Sequence, residues 1–278
     1  MEEWLLANEM GIRLGAFLGI LAAMAVWEGL APRRARALPR LLRWGSNLGL
    51  VALNSIVLRL LFPAAAVGMA MTAEERGWGF LNAVAWPYGL EVVAAVLFLD
   101  LVIYLQHVLF HAVPGLWRLH RVHHVDLDFD VTTGLRFHPV ELILSMLLKF
   151  AAVAAMGAPI LAVLLFEILL NGTSMFNHGN VRLPAALDRV LRWLVVTPEM
   201  HRVHHSVHPD ETNRNFGFNL PWWDRLLGTY TAQPRDGHEG MTIGLRAPRE
   251  PAVCARLPQM LLLPFRTGRG GGLFPGDR

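Results

Sequence analysis

Long apolar stretches alternate with short polar connections along the whole chain. A helix needs about 20 apolar residues to cross a bilayer. Four regions reach that length, at about residues 11–30, 48–71, 88–110 and 142–170. The fourth is too long for one untilted crossing, and Gly157 and Pro159 interrupt it. We therefore predict that it forms two short helices, a hairpin that enters the membrane and returns.

The composition agrees with a membrane protein. Hydrophobic residues make up 54% of the chain and charged residues 17%, against about 25% charged in ordinary globular proteins. The mean hydropathy is +0.38. The alternative, a buried bundle in a soluble protein, is disfavoured because spans this long exceed most core helices. The predicted fold class is an all-α integral membrane protein with about four transmembrane helices in two hairpins.

Arginines predict how the chain is oriented. Five of them fall between the first two spans without an acidic residue, at Arg33, Arg34, Arg36, Arg40 and Arg43. The positive-inside rule makes this loop cytoplasmic. Residue 111 onward, and residues 180–278 if the fourth region is a hairpin, then lie on the cytoplasmic side. We predict a multi-pass inner-membrane protein with a cytoplasmic, helical, histidine-rich cap.

Three segments are expected along the chain. Residues 1–40 hold the first membrane span and the basic loop, residues 41–245 a catalytic domain, and residues 246–278 a partly disordered tail. Disorder is expected after about Pro264, where arginine and glycine replace apolar residues. Cys254 is the only cysteine, which excludes an internal disulfide and a four-cysteine iron–sulfur cluster. The formal charge of +3 implies no nucleic-acid partner.

Eight of the twelve histidines fall into three clusters: His107-Val-Leu-Phe-His111, His120-Arg-Val-His123-His124 and His201-Arg-Val-His204-His205. Spacings of three and four place side chains on one face of a helix. Neutral imidazole is a good ligand for iron, zinc, copper and nickel. A lone histidine in a span is more often a hydrogen-bonded core residue, but that does not explain three face-matched clusters. Since a zinc site takes three or four protein ligands, eight histidines favour two metal ions.

The chemistry of the metal separates three hypotheses. A zinc hydrolase leaves most of the histidines unexplained, and the HExxH motif is absent because Val108 follows His107. A divalent-metal transporter or sensor would place histidines along a path across several spans. Two iron ions that use O2 to attack an unactivated C–H bond account for the number of histidines, and zinc cannot carry out that redox chemistry.

Neutral imidazole ligands leave the charge of two cations uncompensated, so carboxylates that orient the ligands are expected nearby. Asp100 lies seven residues before His107 on the same helical face, inside an apolar span. The other candidates are Asp126, Glu141, Glu199 and Asp224.

The order and spacing of these motifs resemble the sterol desaturase and fatty acid hydroxylase superfamily over about residues 40–245. The resemblance is carried by Asp100 to His111, Leu116 to His124, Arg136-Phe-His-Pro139, Phe176-Asn-His-Gly-Asn180, Met200 to Ser206, Asn215-Phe-Gly217 and Trp222 to Tyr230. It implies a helical membrane fold with a histidine-rich cap over a di-iron centre. It also implies O2-dependent hydroxylation or desaturation of a lipid, such as a sterol, hopanoid, carotenoid, fatty acyl or ether lipid.

The resemblance assigns ligand roles residue by residue, to His107, His111, His120, His123, His124, His178, His201, His204 and His205. Some members have a second histidine four residues before the position of His178, where this chain has Ser174. That ligand is then either lost or replaced by water. His138 is expected to orient a ligand or cap a helix, and His208 and His238 to lie at the surface. Trp222 and Trp223 are expected at the membrane interface or along the substrate cavity.

No dinucleotide-binding glycine motif, flavin signature or cysteine cluster is visible. The electrons are therefore expected from a separate donor, a ferredoxin, a cytochrome or a reductase. Zinc is expected to replace iron in some purified samples.

Overall fold

The computed structural model describes residues 2–266, with side chains from Trp4 onward. The first seven helices are α1 (Glu2–Leu30), α2 (Arg40–Leu61), α3 (Ala65–Glu75), α4 (Tyr88–Ala112), α5 (Pro114–His124), α6 (Pro139–Met156) and α7 (Ile160–Asn177). Seven shorter helices follow: α8 (Ala185–Leu191), α9 (Pro198–His204), α10 (Pro209–Thr212), α11 (Trp222–Leu226), α12 (Gly237–Gly240), α13 (Pro251–Cys254) and α14 (Leu257–Leu262). Short 3-10 turns cover Leu81–Ala83, Thr133–Leu135 and Leu263–Phe265. Residues 2–266 contain no β-strand, which confirms the all-α prediction.

Five helical segments in the described chain are long and apolar enough to cross a membrane, rather than the four predicted: Trp4–Leu30, Arg40–Glu75, Tyr88–Ala112, Pro139–Met156 and Ile160–Asn177. The second consists of α2 and α3, which are separated at Pro63 because proline lacks the amide hydrogen that continues a helix. The chain is thus a multi-pass helical membrane protein.

The predicted fourth apolar region contains two separate helices, which accounts for the extra segment. Helices α6 and α7 have 18 residues each, about 27 Å at 1.5 Å per residue. Gly157 joins them with a φ of +66°, and a Cβ atom there would lie 2.7 Å from the Trp78 carbonyl oxygen. The pair returns as a hairpin should, since α6 begins and α7 ends beside the histidines.

Small side chains let the membrane helices approach each other closely. The apolar cluster shared by α3, α4, α6 and α7 contains six buried alanines alongside larger residues such as Leu99 and Phe166. In lipid, where the hydrophobic effect does not drive helices together, such close packing is a main source of stability. The packed bundle brings the last turns of α4 and α7 and the first turn of α6 to one place.

The segments between and after the candidate membrane spans, residues 113–138 and 178–245, are called the cap. A buried ion-pair network attaches the cap to the bundle. Arg43 of α2 is fully buried, and its guanidinium binds both oxygens of Asp126 at 2.7 and 2.8 Å and also contacts Asp130. Although burial alone would raise the pKa of Asp126, Arg43 and Arg136 lower it to about 2. Asp126 therefore stays ionised as a structural anchor, and it contacts none of the candidate histidine ligands in the described contacts.

The segment after residue 245 packs against the cap. Arg118 of α5 donates to the Pro264 carbonyl at 2.8 Å, and Arg136 donates to the Cys254 carbonyl. Met260 and Leu263 are buried in the same cluster as Leu50 of α2. The predicted tail is thus ordered through two short helices, and residues 267–278, where disorder was expected, lie outside the described residues.

Candidate metal centre

Four helix ends bring nine histidines together. His107 and His111 lie in the last turns of α4, and His178 directly follows α7. Helix α5 carries His120, His123 and His124, while His201, His204 and His205 lie on or directly after α9. None of the nine is more than 3% exposed. The structure therefore brings together every histidine predicted to bind metal.

The nine histidines form two groups. Within each group, ligand nitrogen atoms lie within 4.8 Å of one another. The five-histidine group is His107, His111, His120, His124 and His204, and the four-histidine group is His123, His178, His201 and His205.

Each HxxHH motif divides its histidines between the two groups. The first and last histidine of a motif are four residues apart and share one helical face, whereas the middle one is rotated by about 100° from its neighbour. His120 and His124 consequently join the five-histidine group while His123 joins the other. On α9 the assignment is reversed, and His204 alone crosses to the five-histidine group.

The distances between ring nitrogens fit ligation of a shared ion. His178 Nε2 lies 3.1 Å from His123 Nε2, 3.1 Å from His201 Nε2 and 3.2 Å from His205 Nε2. One ring nitrogen carries at most one hydrogen, so it cannot make three such hydrogen bonds. With metal–nitrogen bonds of about 2.1 Å, neighbouring ligands of an octahedron or tetrahedron are about 3.0–3.4 Å apart. The four-histidine group therefore fits a metal ion.

The five-histidine group also fits a metal ion, as its buried ring nitrogens show. His107 Nε2 and His120 Nε2 are 3.1 Å apart. The Nε2 atoms of His111, His124 and His204 are buried without a hydrogen-bond partner among the described residues. Buried polar nitrogens without partners are costly, and a metal ion would satisfy them.

Acceptors on the far side of the rings hold the five-histidine group in a ligating form. A ring that donates from Nδ1 keeps the Nε2 lone pair free for a metal. His120 Nδ1 donates to Glu141 Oε1 at 2.6 Å, and His107 Nδ1 donates to the Phe216 carbonyl at 2.7 Å. His204 and His111 make corresponding contacts with the Arg214 carbonyl at 2.8 Å and Asn213 Oδ1 at 3.2 Å.

The four-histidine group is less constrained. His178 Nδ1 donates to the Ser174 carbonyl at 2.7 Å, but Nδ1 of His123, His201 and His205 has no partner among the described residues. The Ser174 hydroxyl donates to the Gly134 carbonyl at 2.8 Å and is not part of the group. Ser174 therefore does not take the place of the second histidine that some members of the resembled superfamily have.

Burial keeps these imidazoles neutral. Removal from water lowers the pKa of His120 and of His178 to about 3. The same cause, together with repulsion among neighbouring rings, lowers the pKa of His124, His201 and His205 far below the usual range. Neutral imidazole is the form that binds metal.

The expected carboxylates have different roles. Glu141 contacts a candidate ligand directly, and its position two residues into α6 could be recognised from the Arg-Phe-His-Pro motif before it. Asp224 accepts from the backbone amides of Phe216 and Gly217 at 2.8 and 2.9 Å, and so positions the carbonyl that holds His107. Asn213 was missed because only the fold brings its side chain to His111.

Two other predicted carboxylates contact no candidate ligand. Asp100 accepts from Asn219 Nδ2 and from Trp223 Nε1, both at 2.8 Å, and so connects α4 to the cap. Glu199 forms ion pairs with Arg33 at 2.9 Å, Arg202 at 3.1 Å and His238 at 2.8 Å. The pKa of Glu199 is lowered to about 2, because these hydrogen-bonded and charged neighbours outweigh burial.

The remaining histidines lie outside both groups. His138 caps α6 by accepting from the Val140 amide at 3.2 Å. His208 is partly exposed and bonds Asp236 at 3.0 Å. His238 was expected at the surface, but that prediction is wrong because it is 7% exposed and paired with Glu199. Trp222 is 40% exposed, whereas Trp223 is bonded to Asp100.

A cavity of about 930 Å³ runs from the membrane helices to the centre. Its wall includes His107, His120 and Glu141 at one end, and Gly134 and Ser174 beside the four-histidine group. Apolar side chains make up most of the wall between the helices. A cavity of this size accommodates a lipid chain.

The sequence model of the fatty acid hydroxylase family matches residues 92–229, which include all nine histidines. This segment belongs to the fatty acid hydroxylase family, and the chain to the sterol desaturase and fatty acid hydroxylase superfamily.

Three curated relatives are similar over parts of their length. Ornithine lipid hydroxylase OlsE of Rhizobium tropici is 33% identical over 66% of this chain and 53% of its own length. Alkylglycerol monooxygenase of Xenopus tropicalis is 26% identical over 70% and 43%, and cholesterol 25-hydroxylase of Rattus norvegicus is 27% identical over 52% and 48%. The chain spans about half the length of these relatives. No solved structure matches.

Proposed function

We propose that the chain is an O2-dependent oxygenase that hydroxylates or desaturates a membrane lipid at a centre of two iron ions. The observation that carries this proposal is the division of nine buried histidines into two adjoining groups at the end of a lipid-sized cavity. The relatives' names, all lipid hydroxylases or monooxygenases, support the reaction type. A transporter or sensor is not favoured, because the histidines gather in one place instead of following a path across the spans.

Iron bound by the two histidine groups would supply the O2-dependent redox chemistry. The protein's own contribution is to fix the imidazoles and exclude water. Glu141 orients His120 and offsets part of the positive charge, and the Phe216 carbonyl holds His107 in its ligating form. Because these contacts fix His107 and His120 before the reaction, little reorganisation of the two rings accompanies it.

Substrate reaches this centre from the bilayer. The cavity wall combines α1, α2 and α3 with α4, α6 and α7, so an apolar chain can enter from lipid without passing through water. Sterol, hopanoid, carotenoid, fatty acyl and ether lipid all remain within the proposed substrate class. The electrons come from a separate ferredoxin, cytochrome or reductase.

The arginine loop supports placing the cap on the cytoplasmic side of the inner membrane. Arg33 and Arg34 of this loop bind the cap through Glu199 and the Met241 carbonyl. The loop and the histidines thus lie on the same side of the bundle, as this orientation requires.

Comparative lipid analysis tests the proposed reaction. Cells that express the protein are compared with cells that express His178→Ala, and the extracted lipids are searched for a gain of one oxygen or a loss of two hydrogens. We expect such a product only with the unmodified protein and only with O2. A folded, iron-supplied sample that retains only zinc and never consumes O2 with lipid and reductant would contradict the proposal.

A further inference from the structure

The cavity has a charged end within the membrane-spanning helices. Its wall there contains three cations, Arg13, Arg59 and Lys149, and two carboxylates, Glu9 and Glu167. Charged side chains at this depth are costly and are retained where they have a function. The chemistry at the histidine end gives no reason for charges here.

Glu167 is fully engaged by two of the cations. It is 2% exposed, accepts from Lys149 Nζ at 2.7 Å through Oε1, and pairs with Arg13 Nη1 at 2.9 Å through Oε2. Arg13 also binds Glu9 at 2.7 Å. Among the side chains that the structure describes, Arg59 has no carboxylate partner. This end of the wall therefore has one positive charge more than its two carboxylates compensate, and the third carboxylate of the wall, Glu141, contacts His120 at the histidine end.

Lys149 has hydrogen-bonding capacity left for a ligand. It is the only lysine in an arginine-rich chain, and Glu167 is its one acceptor in the described contacts. An ammonium group has three donors, so two remain. Its side chain is 11% exposed and belongs to the cavity wall.

The charged end lies well away from the histidines. Lys149 follows Glu141 by eight residues on α6, and Glu167 precedes His178 by eleven residues on and after α7. At 1.5 Å per residue, these intervals are about 12 and about 16 Å. Apolar side chains such as Met146 and Phe218 line the interval.

We propose that Arg13, Arg59 and Lys149 form a subsite for one anionic group, a phosphate or carboxylate, of an amphiphilic substrate. The apolar part of that molecule fills the cavity toward the histidine groups. This inference rests on the proposed function and narrows its substrate class. An anion in this place compensates the surplus positive charge, and charged hydrogen bonds to phosphate or carboxylate are strong.

The charge preference can be measured without turnover. Monohexadecyl phosphate and hexadecanol, which have the same chain, are titrated into the full-length protein in a neutral detergent, without reductant. We expect the phosphate to bind at least about tenfold more tightly, because its hydrogen bonds to the cations are charge-assisted. Inorganic phosphate should not compete, since it lacks the apolar chain. Equal affinity for the two amphiphiles would overturn the proposal. Displacement of monohexadecyl phosphate by inorganic phosphate would also overturn it.

Substitutions of the cations show which residues produce the preference for the phosphate over the alcohol. Lys149→Met should reduce it to about twofold or less, whereas Lys149→Arg should retain it because the charge is kept. Arg59→Met removes a cation that holds no ion pair in the described contacts, so it should weaken the preference without affecting folding. Arg189→Met, on the exposed face of α8 and outside the cavity wall, is the matched control.

The readouts separate this inference from the proposed function. If both Lys149→Met and Arg59→Met keep the full preference, the subsite is wrong even when iron content and lipid oxidation are normal. If these variants lose the preference but no lipid is ever oxidised, the subsite is supported and the proposed reaction fails.

Discussion

The five-histidine and four-histidine groups both consist of buried imidazole rings, but they differ in the hydrogen bonds that orient those rings. In the first, four rings have acceptors at Nδ1, two of them backbone carbonyls, one an amide oxygen and one the Glu141 carboxylate. In the second, His178 alone has an acceptor among the described residues, and Ser174 supplies no ligand. The comparison teaches that contacts with the protein orient most rings of the first group, whereas the rings of the second have fewer such contacts among the described residues.

The largest difference is expected from removing one histidine of each group. His178→Ala leaves three ligands in the four-histidine group and removes the ring on which the others converge. We expect loss of one of two metal ions and at least about 100-fold lower activity, since even residues behind the ligands contribute 10–100-fold.

His111→Ala is the matched variant, because four histidines remain in its group. It should keep more metal than His178→Ala under the same dialysis against a chelator, with metal measured by mass spectrometry. Equal retention in the two variants would show that the groups do not differ in the way described.

Substitution of Glu141, which accepts the hydrogen bond from His120, tests whether such contacts orient the five-histidine group. Glu141→Ala leaves His120 Nδ1 without its acceptor and should lower metal affinity or activity by about 10–100-fold. Glu141→Gln keeps an acceptor oxygen without the charge and should lose less. If the alanine variant bound both metals like the unmodified protein, the support assigned to Glu141 would be wrong.

Close packing around His178 supports the four-histidine group. A Cβ atom at Gly134 would lie 2.4 Å from the Ser174 carbonyl oxygen and 2.9 Å from His178 Nδ1. Gly134→Ala should destabilise the protein by about 1–3 kcal/mol and release metal from this group first, as followed by thermal unfolding and metal analysis. Gly115→Ala, where no atom lies within 4 Å of the added Cβ, should lack this effect on packing.

The smallest effect is expected at His208, which joins neither group. Its bond to Asp236 is partly exposed, so His208→Ala should change stability by less than about 0.5 kcal/mol and leave the metal content unchanged. A loss of metal in this variant would mean that the two groups omit a ligand.

The sequence was sufficient where a local pattern decides the structure. Apolar length located the spans, and the spacing of three and four residues brought His120, His123 and His124 to one helix. The sequence could not show that adjacent histidines of one motif enter different groups, because this depends on how α5 and α9 face each other.

Long-range contacts explain the other differences. Asp100 looked like a support for His107 because both lie on one face of α4, but the fold pairs it with Trp223 of α11. His238 looked like a surface residue in a polar segment, but it is buried and paired with Glu199. In both cases the partner lies far away in the sequence, where periodicity gives no information.

The metal content of protein produced with iron tests the two-metal centre most directly. Iron is measured per chain in the purified, folded protein and in His178→Ala prepared in parallel. The proposed two-metal centre predicts two ions in the unmodified protein and one in the variant, with the remaining ion held by the five-histidine group. One ion per chain in both samples would contradict the division into two metal sites.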